Sequence, residues 1–199
     1  MSTDEKILKV AIDMIAKKGF KGATTKQIAE KAAVSEMTLF RHFPNKKKIL
    51  EAAIDRYYYS FQMKELFEHK LIWDLGKDLL MIAETYHTIM KKNKNVIKIA
   101  IQEGHNVQGL NEQVNKHPRQ LKELLIKYFE EMKKRGLIID DDYELTAMNF
   151  LYMSYGLFIS RSFVQGQTIT TLSEDDVIKG SVQVFINHLT PNKVSQEIN

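Results

Sequence analysis

Three consecutive lysines, Lys46–Lys48, follow the helix-breaking pair Pro44-Asn45 and stand in the first turn of a predicted helix. The positive end of the helix macrodipole lies there, so each exposed cation costs about 0.3–1 kcal/mol. Acidic residues would be expected at these positions if only stability mattered. Backbone N–H groups and lysine ammonium groups at one helix end together favour a bound phosphate. The chemistry that this cluster indicates is the capture of a polyanion, and the alternative is an ordinary lysine-rich surface.

The charge of the chain is unevenly distributed. Residues 1–50 contain eleven Lys and Arg against five Asp and Glu, a net charge of +6. The whole chain of 199 residues carries +4, so residues 51–199 carry −2. A basic segment joined to a slightly acidic body is typical of a polyanion-binding module on a larger chain. A solvated basic face on a helical domain explains the charge about equally well.

The elements that must position these charges have the pattern of helices. Apolar residues recur at helical spacing over residues 3–18, and Gly19 ends this first helix. Thr24, with Gln three residues later, has the spacing of a capping box that opens a second, short helix. Ser35 can cap a third helix over residues 36–42. Two short helices joined by a turn behind a supporting helix form a helix-turn-helix, which predicts DNA as the polyanion.

Residues 5–55 resemble the DNA-binding region of the TetR/AcrR family of transcriptional regulators. The resemblance is strongest over residues 24–46, which read TTKQIAEKAAVSEMTLFRHFPNK. It implies a homodimer that binds a palindromic operator in double-stranded DNA, most often as a repressor, although activation stays open. It also implies the residues that contact DNA or lie beside it, namely Thr25, Lys26, Ser35, Glu36, Met37, Thr38, Phe40, Arg41, His42 and Lys46.

The sequence departs from the family pattern at four positions. The family usually has Tyr at the position of Phe40, so a hydroxyl that contacts phosphate is missing. Ala33 occupies a turn position that is usually Gly, which predicts strain if the backbone has a positive φ angle there. Met37 replaces a common Gly and can meet a thymine methyl group. Glu36 replaces a frequent basic residue, and can either accept from a cytosine amino group or weaken the attraction to phosphate.

The whole chain is predicted to be all-α, with about nine helices in two domains. Residues 1–50 form the three-helix DNA-binding domain, and residues 51–199 form a larger helical domain for ligand binding and dimerisation. Residues 104–117 are predicted to be a loop, and the polar tail after Pro191 is expected to fray. The remaining helices are predicted at residues 45–69, 73–92, 95–103, 118–135, 142–164 and 173–189.

The last two predicted helices have the composition of a dimer interface. The helix at 142–164 is apolar nearly all round, so it needs burial on more than one side. A four-helix interface between two copies would supply that burial, and the alternative is that both helices are internal core. The interface residues that we predict are Gly156, Leu157, Ser160, Ile178, Val182, Phe185 and Leu189.

A ligand pocket is implied by the resemblance more than by composition. Met and aromatic residues at helical spacing form a core more often than they line a pocket. The candidates below are therefore either pocket residues or ordinary core residues. A pocket built from them would take a small effector that is apolar or amphipathic. They are Met81, Tyr86, His87, Met90, His105, Tyr128, Tyr152 and Tyr155.

Several other classes of protein are disfavoured by the sequence. The absence of cysteine excludes disulfides, thiol catalysis and thiolate metal sites, and is compatible with a cytoplasmic location. No HExxH, P-loop, GxSxG or GxGxxG pattern indicates an enzyme or a cofactor, and Glu103 with His105 is too small a set to predict a metal site. The N-terminus has no signal-peptide pattern, and the apolar run at 150–159 is too short to span a membrane, so no membrane partner is expected. A helical adaptor would leave the lysine cluster unexplained.

Overall fold

A computed structural model describes residues 1–57 and 60–191, and within them every regular element is helical, as the sequence predicts. No helix in this part of the chain is long and apolar enough to cross a membrane. A short 3-10 helix, Gly166–Thr168, lies between the last two α-helices. The α-helices are α1 Thr3–Gly22, α2 Thr25–Lys31, α3 Glu36–His42, α4 Lys46–Tyr57, α5 Ser60–His69, α6 Leu75–Lys92, α7 Lys94–Glu103, α8 Leu110–Lys134, α9 Tyr143–Phe163 and α10 Glu174–Leu189.

The described residues separate into two compact units. The head unit comprises residues 1–57 together with 92–117, and the body unit comprises residues 60–91 together with 118–191. Within the head unit, α1 makes its most extensive contacts with α7, although the two helices are far apart in sequence. The head unit is therefore larger than a three-helix bundle, because it includes α7 and the first turns of α8. The predicted functional division at residue 50 stays a prediction.

The helix-turn-helix begins and ends at the residues that its caps specify. The Thr24 hydroxyl accepts from the Gln27 amide at 3.2 Å, and the Ser35 hydroxyl accepts from the Thr38 amide at 3.0 Å. Both predicted N-caps are confirmed. Leu39 of α3 is fully buried and anchors that helix against the head core. Capping and this apolar anchor fix the two short helices, which are too short to be stable alone.

Ala33, in the turn between α2 and α3, has a φ angle of +56°. The strain predicted at this position is confirmed, because an L-residue in the left-handed region costs about 1–2 kcal/mol. Replacing Ala33 with glycine is expected to raise the free energy of unfolding by about 0.5–1 kcal/mol, after the entropy cost of glycine is subtracted. Thermal unfolding of both proteins would measure it.

The matched control for this substitution is the preceding residue. Ala32 is 4% exposed and has right-handed backbone angles, so Ala32→Gly is expected to lower the stability instead. Equal shifts for the two glycine variants would contradict the assignment of strain to Ala33.

The predicted loop at 104–117 is wrong over its second half. Helix α8 begins at Leu110, and Pro118, which we expected to start the helix, lies inside it. Leu110, Val114 and Leu121 are buried at helical spacing and form one continuous stripe through the proline. The packing of this stripe outweighs the loss of one backbone donor at Pro118. The Asn and Gly residues that favour a loop obscured this pattern.

One long helix was predicted over residues 45–69, and the structure gives α4 and α5 in this range. Tyr58 and Tyr59, which the predicted helix includes, lie outside the described residues, as does the tail at 192–199. Asn45 caps α4 as predicted, because its side-chain oxygen accepts from the Lys48 amide at 2.9 Å.

The body unit is built on the packing of α9 against α10. The rings of Phe150 and Phe185 meet edge to face with centroids 5.4 Å apart. The stripe that was predicted to form the dimer interface on α10 lies in this core. Its four side chains are at most 5% exposed in a single chain, so they cannot form the outer surface of a dimer: Ile178, Val182, Phe185 and Leu189.

Candidate DNA interface and effector site

The second helix of the helix-turn-helix presents large apolar side chains to solvent. Met37 is 82% exposed and Phe40 is 44% exposed. Lys26 and Arg41 are also exposed, and within the described part of the chain neither makes a hydrogen bond or an ion pair. Single exposed apolar side chains are common on protein surfaces, but Met37 and Phe40 are three residues apart and therefore share one face of α3. These four side chains form the open part of the predicted DNA surface.

Other predicted DNA contacts are occupied by bonds within the protein. The Thr25 hydroxyl donates to the Glu36 carboxylate at 2.6 Å, which joins the start of α2 to the start of α3. The Ser35 and Thr38 hydroxyls lie 2.8 Å apart, so one donates to the other. Thr25 has one hydroxyl proton, and it is used on Glu36. A phosphate that accepts from Thr25 must therefore displace this carboxylate.

The N-terminal turn of α1 supplies acidic partners to one residue of α3 and one of α4. The His42 Nδ1 atom lies 2.5 Å from the Asp4 carboxylate, and Arg56 of α4 bonds to Glu5. Backbone and side-chain hydrogen bonds from Ser2 and Arg56 hold the pKa of Glu5 below its usual value. The sequence reasoning missed this role, because acids in a first turn are expected for helix stability alone.

Lys46 is held more tightly than its neighbours. Its ammonium group donates to the carbonyl oxygen of Phe20 and, at 2.7 Å, to that of Ala23, and it lies 4.5 Å from the centre of the Phe20 ring. Burial lowers the pKa of Lys46, and the charge of Glu103 partly opposes that effect. Lys46 thus links the start of α4 to the last turn of α1, beyond the kink at Gly19, and to Ala23, which follows α1. Its predicted contact with phosphate stays a prediction, with one N–H beyond these two bonds.

Replacing Lys46 with alanine is expected to affect both stability and DNA binding. Two carbonyl groups lose their donor, which lowers the free energy of unfolding by about 1–3 kcal/mol. If Lys46 also contacts phosphate, the slope of log K against log salt becomes shallower by about one for any DNA sequence. Thermal unfolding and a salt titration of DNA binding measure the two effects.

Lys48 provides the control for Lys46→Ala. It is exposed and pairs with Glu51 at 2.6 Å, so its removal costs about 0–1 kcal/mol in stability. An unchanged salt slope in Lys46→Ala, with a changed slope in Lys48→Ala, would remove Lys46 from the phosphate contacts.

The predicted ligand-pocket residues do not converge on one site. Tyr86, His87, Met90 and Tyr128 are buried in the body unit, and Met81 and Tyr155 are half-buried there. Tyr152 is 65% exposed on α9. His105 is exposed in the head unit. Within the body unit only His87 of the predicted set lines the cleft described next.

A small cleft, partly open to solvent and with room for about one water molecule, lies where α6, α9 and α10 meet. Burial lowers the pKa of His87, which favours the neutral imidazole. The His87 Nδ1 atom lies 3.4 Å from the Glu174 carboxylate and makes no hydrogen bond among the described residues. The lining is apolar apart from His87 and two hydroxyls, and comprises Ala83, His87, Phe150, Met153, Ser154, Leu157, Ile178, Ser181, Val182 and Phe185.

Tyr128 has a structural partner in place of a ligand. Its hydroxyl donates to the fully buried carboxylate of Asp78 at 3.1 Å. Burial, together with the charge of Asp78, raises the pKa of Tyr128 far above its usual value. Sequence reasoning missed Asp78, since an acid near a helix start is expected to be exposed. In the described part of the chain, no group of three His, Cys, Asp or Glu can hold a metal ion.

Comparisons with known proteins agree with this geometry. The model of bacterial regulatory proteins of the tetR family matches residues 7–53, and that of the AefR-like transcriptional repressor C-terminal domain matches residues 77–188. A relative in Bacillus subtilis (strain 168), the uncharacterised HTH-type transcriptional regulator YvkB, is 31% identical and is aligned over 94% of this chain and 97% of its own length.

Solved structures share the fold at low sequence identity. FadR from Bacillus subtilis, in complex with stearoyl-CoA, has a TM-score of 0.69 at 17% identity and covers 92% of this chain and 97% of its own. A transcriptional regulator from Saccharomonospora viridis, in complex with choline, has a TM-score of 0.70 at 21% identity and covers 94% of this chain and 97% of its own. At these identities the similarity shows the fold alone.

The fold and these matches define a helix-turn-helix transcriptional regulator and not an enzyme. Within that class, the chain belongs to the TetR family, as the two domain models and the relative at 31% identity show.

Proposed function

We propose that this regulator represses transcription by binding a palindromic operator as a homodimer, and that a small, mostly apolar effector releases it. The observation that carries the proposal is the open face of α3, where Met37 is 82% exposed beside a segment of charge +6. Repression is the typical outcome in this family. The C-terminal match to an AefR-like repressor domain supports it further.

On DNA, Met37 and Phe40 face base edges and Lys26 and Arg41 reach phosphates. Among the residues that the structure describes, these four side chains have no hydrogen bond or ion pair to break, so they make the first contacts. Thr25, Ser35, Glu36, Thr38 and His42 then contribute by exchanging an internal partner for DNA. Lys46 contributes with the N–H that its two internal bonds leave over. Glu36 adds negative charge to this face and makes binding more dependent on the sequence.

The dimer is proposed to form through the outer faces of α9 and α10. On α9 an exposed apolar face follows helical spacing through Leu145, Tyr152 and Gly156. A Cβ atom at Gly156 would meet nothing within 4 Å, which leaves room for the close approach of another helix. Leu157 and Ser160 border this face, and Val184 of α10 is 58% exposed. The four buried residues of α10 support the interface from beneath.

The effector is proposed to enter the body unit. The apolar lining of the cleft at α6, α9 and α10 supports an apolar or amphipathic molecule, with the neutral His87 imidazole as a polar contact. The related fold that binds stearoyl-CoA supports a long acyl chain as one class. Pockets for such ligands occupy about 300–1,000 Å³, whereas this cleft holds about one water molecule, so the helices that line it have to separate when the effector binds. Binding then shifts the segment at 45–69 and changes the spacing of the two α3 helices.

One experiment tests the DNA and effector parts in turn. The operator is selected from random duplex DNA with the wild-type chain and with Met37→Ala. The wild type is expected to select a two-fold symmetric site, and Met37→Ala is expected to select a motif that has lost part of its base preference. Candidate acyl and amphipathic molecules are then screened for release of the selected DNA. An asymmetric site would contradict the dimer, the same motif from Met37→Ala would contradict base reading, and equal effector affinity with and without operator would contradict release.

A further inference from the structure

Glu103, the last residue of α7, lies in an unfavourable position for its own helix. The negative end of the macrodipole is at the helix C-terminus, where a carboxylate is destabilising. The family model of the DNA-binding region ends fifty residues before it, at residue 53. A charge that opposes its helix, far in sequence from the DNA-binding segment, indicates a role outside the helix.

The Glu103 carboxylate bonds to the segment that leads into the helix-turn-helix. One oxygen accepts from the backbone N–H of Phe20 at 2.8 Å, and the other accepts from the side chain of Asn106 at 3.3 Å. Gly19 has a φ of +74° and a ψ of 165°, a conformation that is essentially restricted to glycine. A Cβ atom at Gly19 would lie 2.9 Å from the Glu103 oxygen, so the turn is shaped around this carboxylate.

The same peptide group of Phe20 connects Glu103 to Lys46. Its N–H donates to Glu103, while its carbonyl oxygen accepts from the Lys46 ammonium group. Lys46 also holds the Ala23 carbonyl, one residue before the cap of α2. The Lys46 ammonium group thus joins the residues just before α2 to the start of α4, the helix that follows α3. Two charges that are each unfavourable in their own helices, on α7 and on α4, act on one backbone segment.

We propose that Glu103 is a positioning residue for DNA binding: it fixes the Gly19–Phe20 turn, and through it Lys46 and the two helices of the helix-turn-helix. The proposal rests on the proposed DNA-binding surface and adds to it a residue that touches no DNA. A binding site held by a rigid supporting residue loses less entropy when the ligand binds.

Positioning and simple charge repulsion predict opposite effects on DNA affinity when the negative charge of Glu103 is removed. Removal of a negative charge from a DNA-binding unit strengthens its attraction to phosphate when charge alone matters. Glu103→Ala is instead expected to weaken binding to a mixed-sequence DNA duplex about tenfold, because the turn loses its anchor. Glu103→Gln removes the same charge but retains an acceptor oxygen for Phe20, so it is expected to bind at least as tightly as the wild type.

Two further variants separate positioning from general loss of stability. Glu103→Asp keeps the charge and shortens the reach, so it is expected to bind more weakly than the wild type. In a Lys46→Ala background, Glu103→Ala is expected to cause little additional loss, since both act through Phe20. Asn95→Ala is the control, because it removes a different bond between α7 and α1, to Asp13 at 2.9 Å, and is expected to leave DNA affinity unchanged.

Fluorescence anisotropy with the full chain measures these affinities, and circular dichroism confirms that each variant is folded. Unchanged or tighter binding by Glu103→Ala, or wild-type binding by Glu103→Asp, would overturn the proposal. Equal loss in Asn95→Ala would also overturn it, since packing of α7 would then be the cause. Failure of the wild-type chain to bind any duplex would instead overturn the proposed DNA-binding surface.

Discussion

Val184→Glu is expected to convert the proposed dimer into monomers and to weaken operator binding about 100-fold or more. Val184 is 58% exposed on α10, in the surface that the proposed dimer interface uses. Two-fold symmetry places the new carboxylate in the interface twice, where burial without a partner is strongly unfavourable. A monomer holds one half-site only and loses the 10²–10⁴-fold gain of two linked contacts.

Sedimentation and DNA binding at the same protein concentration measure this effect. Lys179→Glu is the matched control, because it puts a carboxylate on the opposite flank of the same helix, where the side chain is exposed. It is expected to leave the protein dimeric. A dimeric Val184→Glu, or equal dissociation of both variants, would show that the interface lies elsewhere.

Asp78→Ala is expected to lower the free energy of unfolding by about 3 kcal/mol or more. The carboxylate of this fully buried residue accepts from the backbone N–H groups of Ile72 and Trp73, at 3.0 and 2.9 Å, and from the Tyr128 hydroxyl. Each donor that loses its partner costs about 1–3 kcal/mol. Trp73, with a φ of +64°, also depends on these bonds to keep its strained backbone.

The Trp73 indole connects the turn before α6 to the rest of the body unit. It stacks on Tyr128 with ring centroids 6.0 Å apart, and the Arg135 guanidinium lies 3.8 Å from its centre. The network joins the turn before α6 to α8 inside the body unit. In a chain of this size, 3 kcal/mol corresponds to a fall in Tm of roughly 6–12 °C.

Asp74→Ala is the control for Asp78→Ala. Asp74 is exposed and accepts from the Lys77 amide at 3.0 Å, so its removal costs one cap, about 1 kcal/mol. If both variants lose the same stability, Asp78 does not have the buried role that its three bonds indicate.

Much of the head could be predicted from sequence because its signals are local. Thr24 and Ser35 each cap the helix that follows by accepting from an amide three residues along the chain. The strain at Ala33 follows from its own backbone angle. The partners of Lys46 could not be predicted, because Phe20 is 26 residues away and offers a carbonyl group that every residue has. Glu103 is 83 residues from the same Phe20, which no spacing rule connects.

In the body, periodicity identified the apolar stripes but not their partners. Ile178 and Val182 were assigned to a dimer, yet a stripe that packs within one chain and a stripe that packs between chains have the same spacing. Pro118 was read as a helix start from its local sequence alone. The helix that runs through it becomes evident only when the structure shows that Leu110 is buried in line with Val114 and Leu121. Tertiary contacts decide both cases.

The sequence by itself determined the all-α class, the family and the helix-turn-helix, because capping, helical spacing and the motif at 24–46 depend on neighbours within a few residues. Only the tertiary structure decided which charges remain open to DNA and which are used internally. Lys26 and Arg41 are exposed while Lys46 is held by α1, and all three are equally basic in the sequence. The reason is physical: the bonds of a charged side chain depend on what the fold brings within about 3 Å of it.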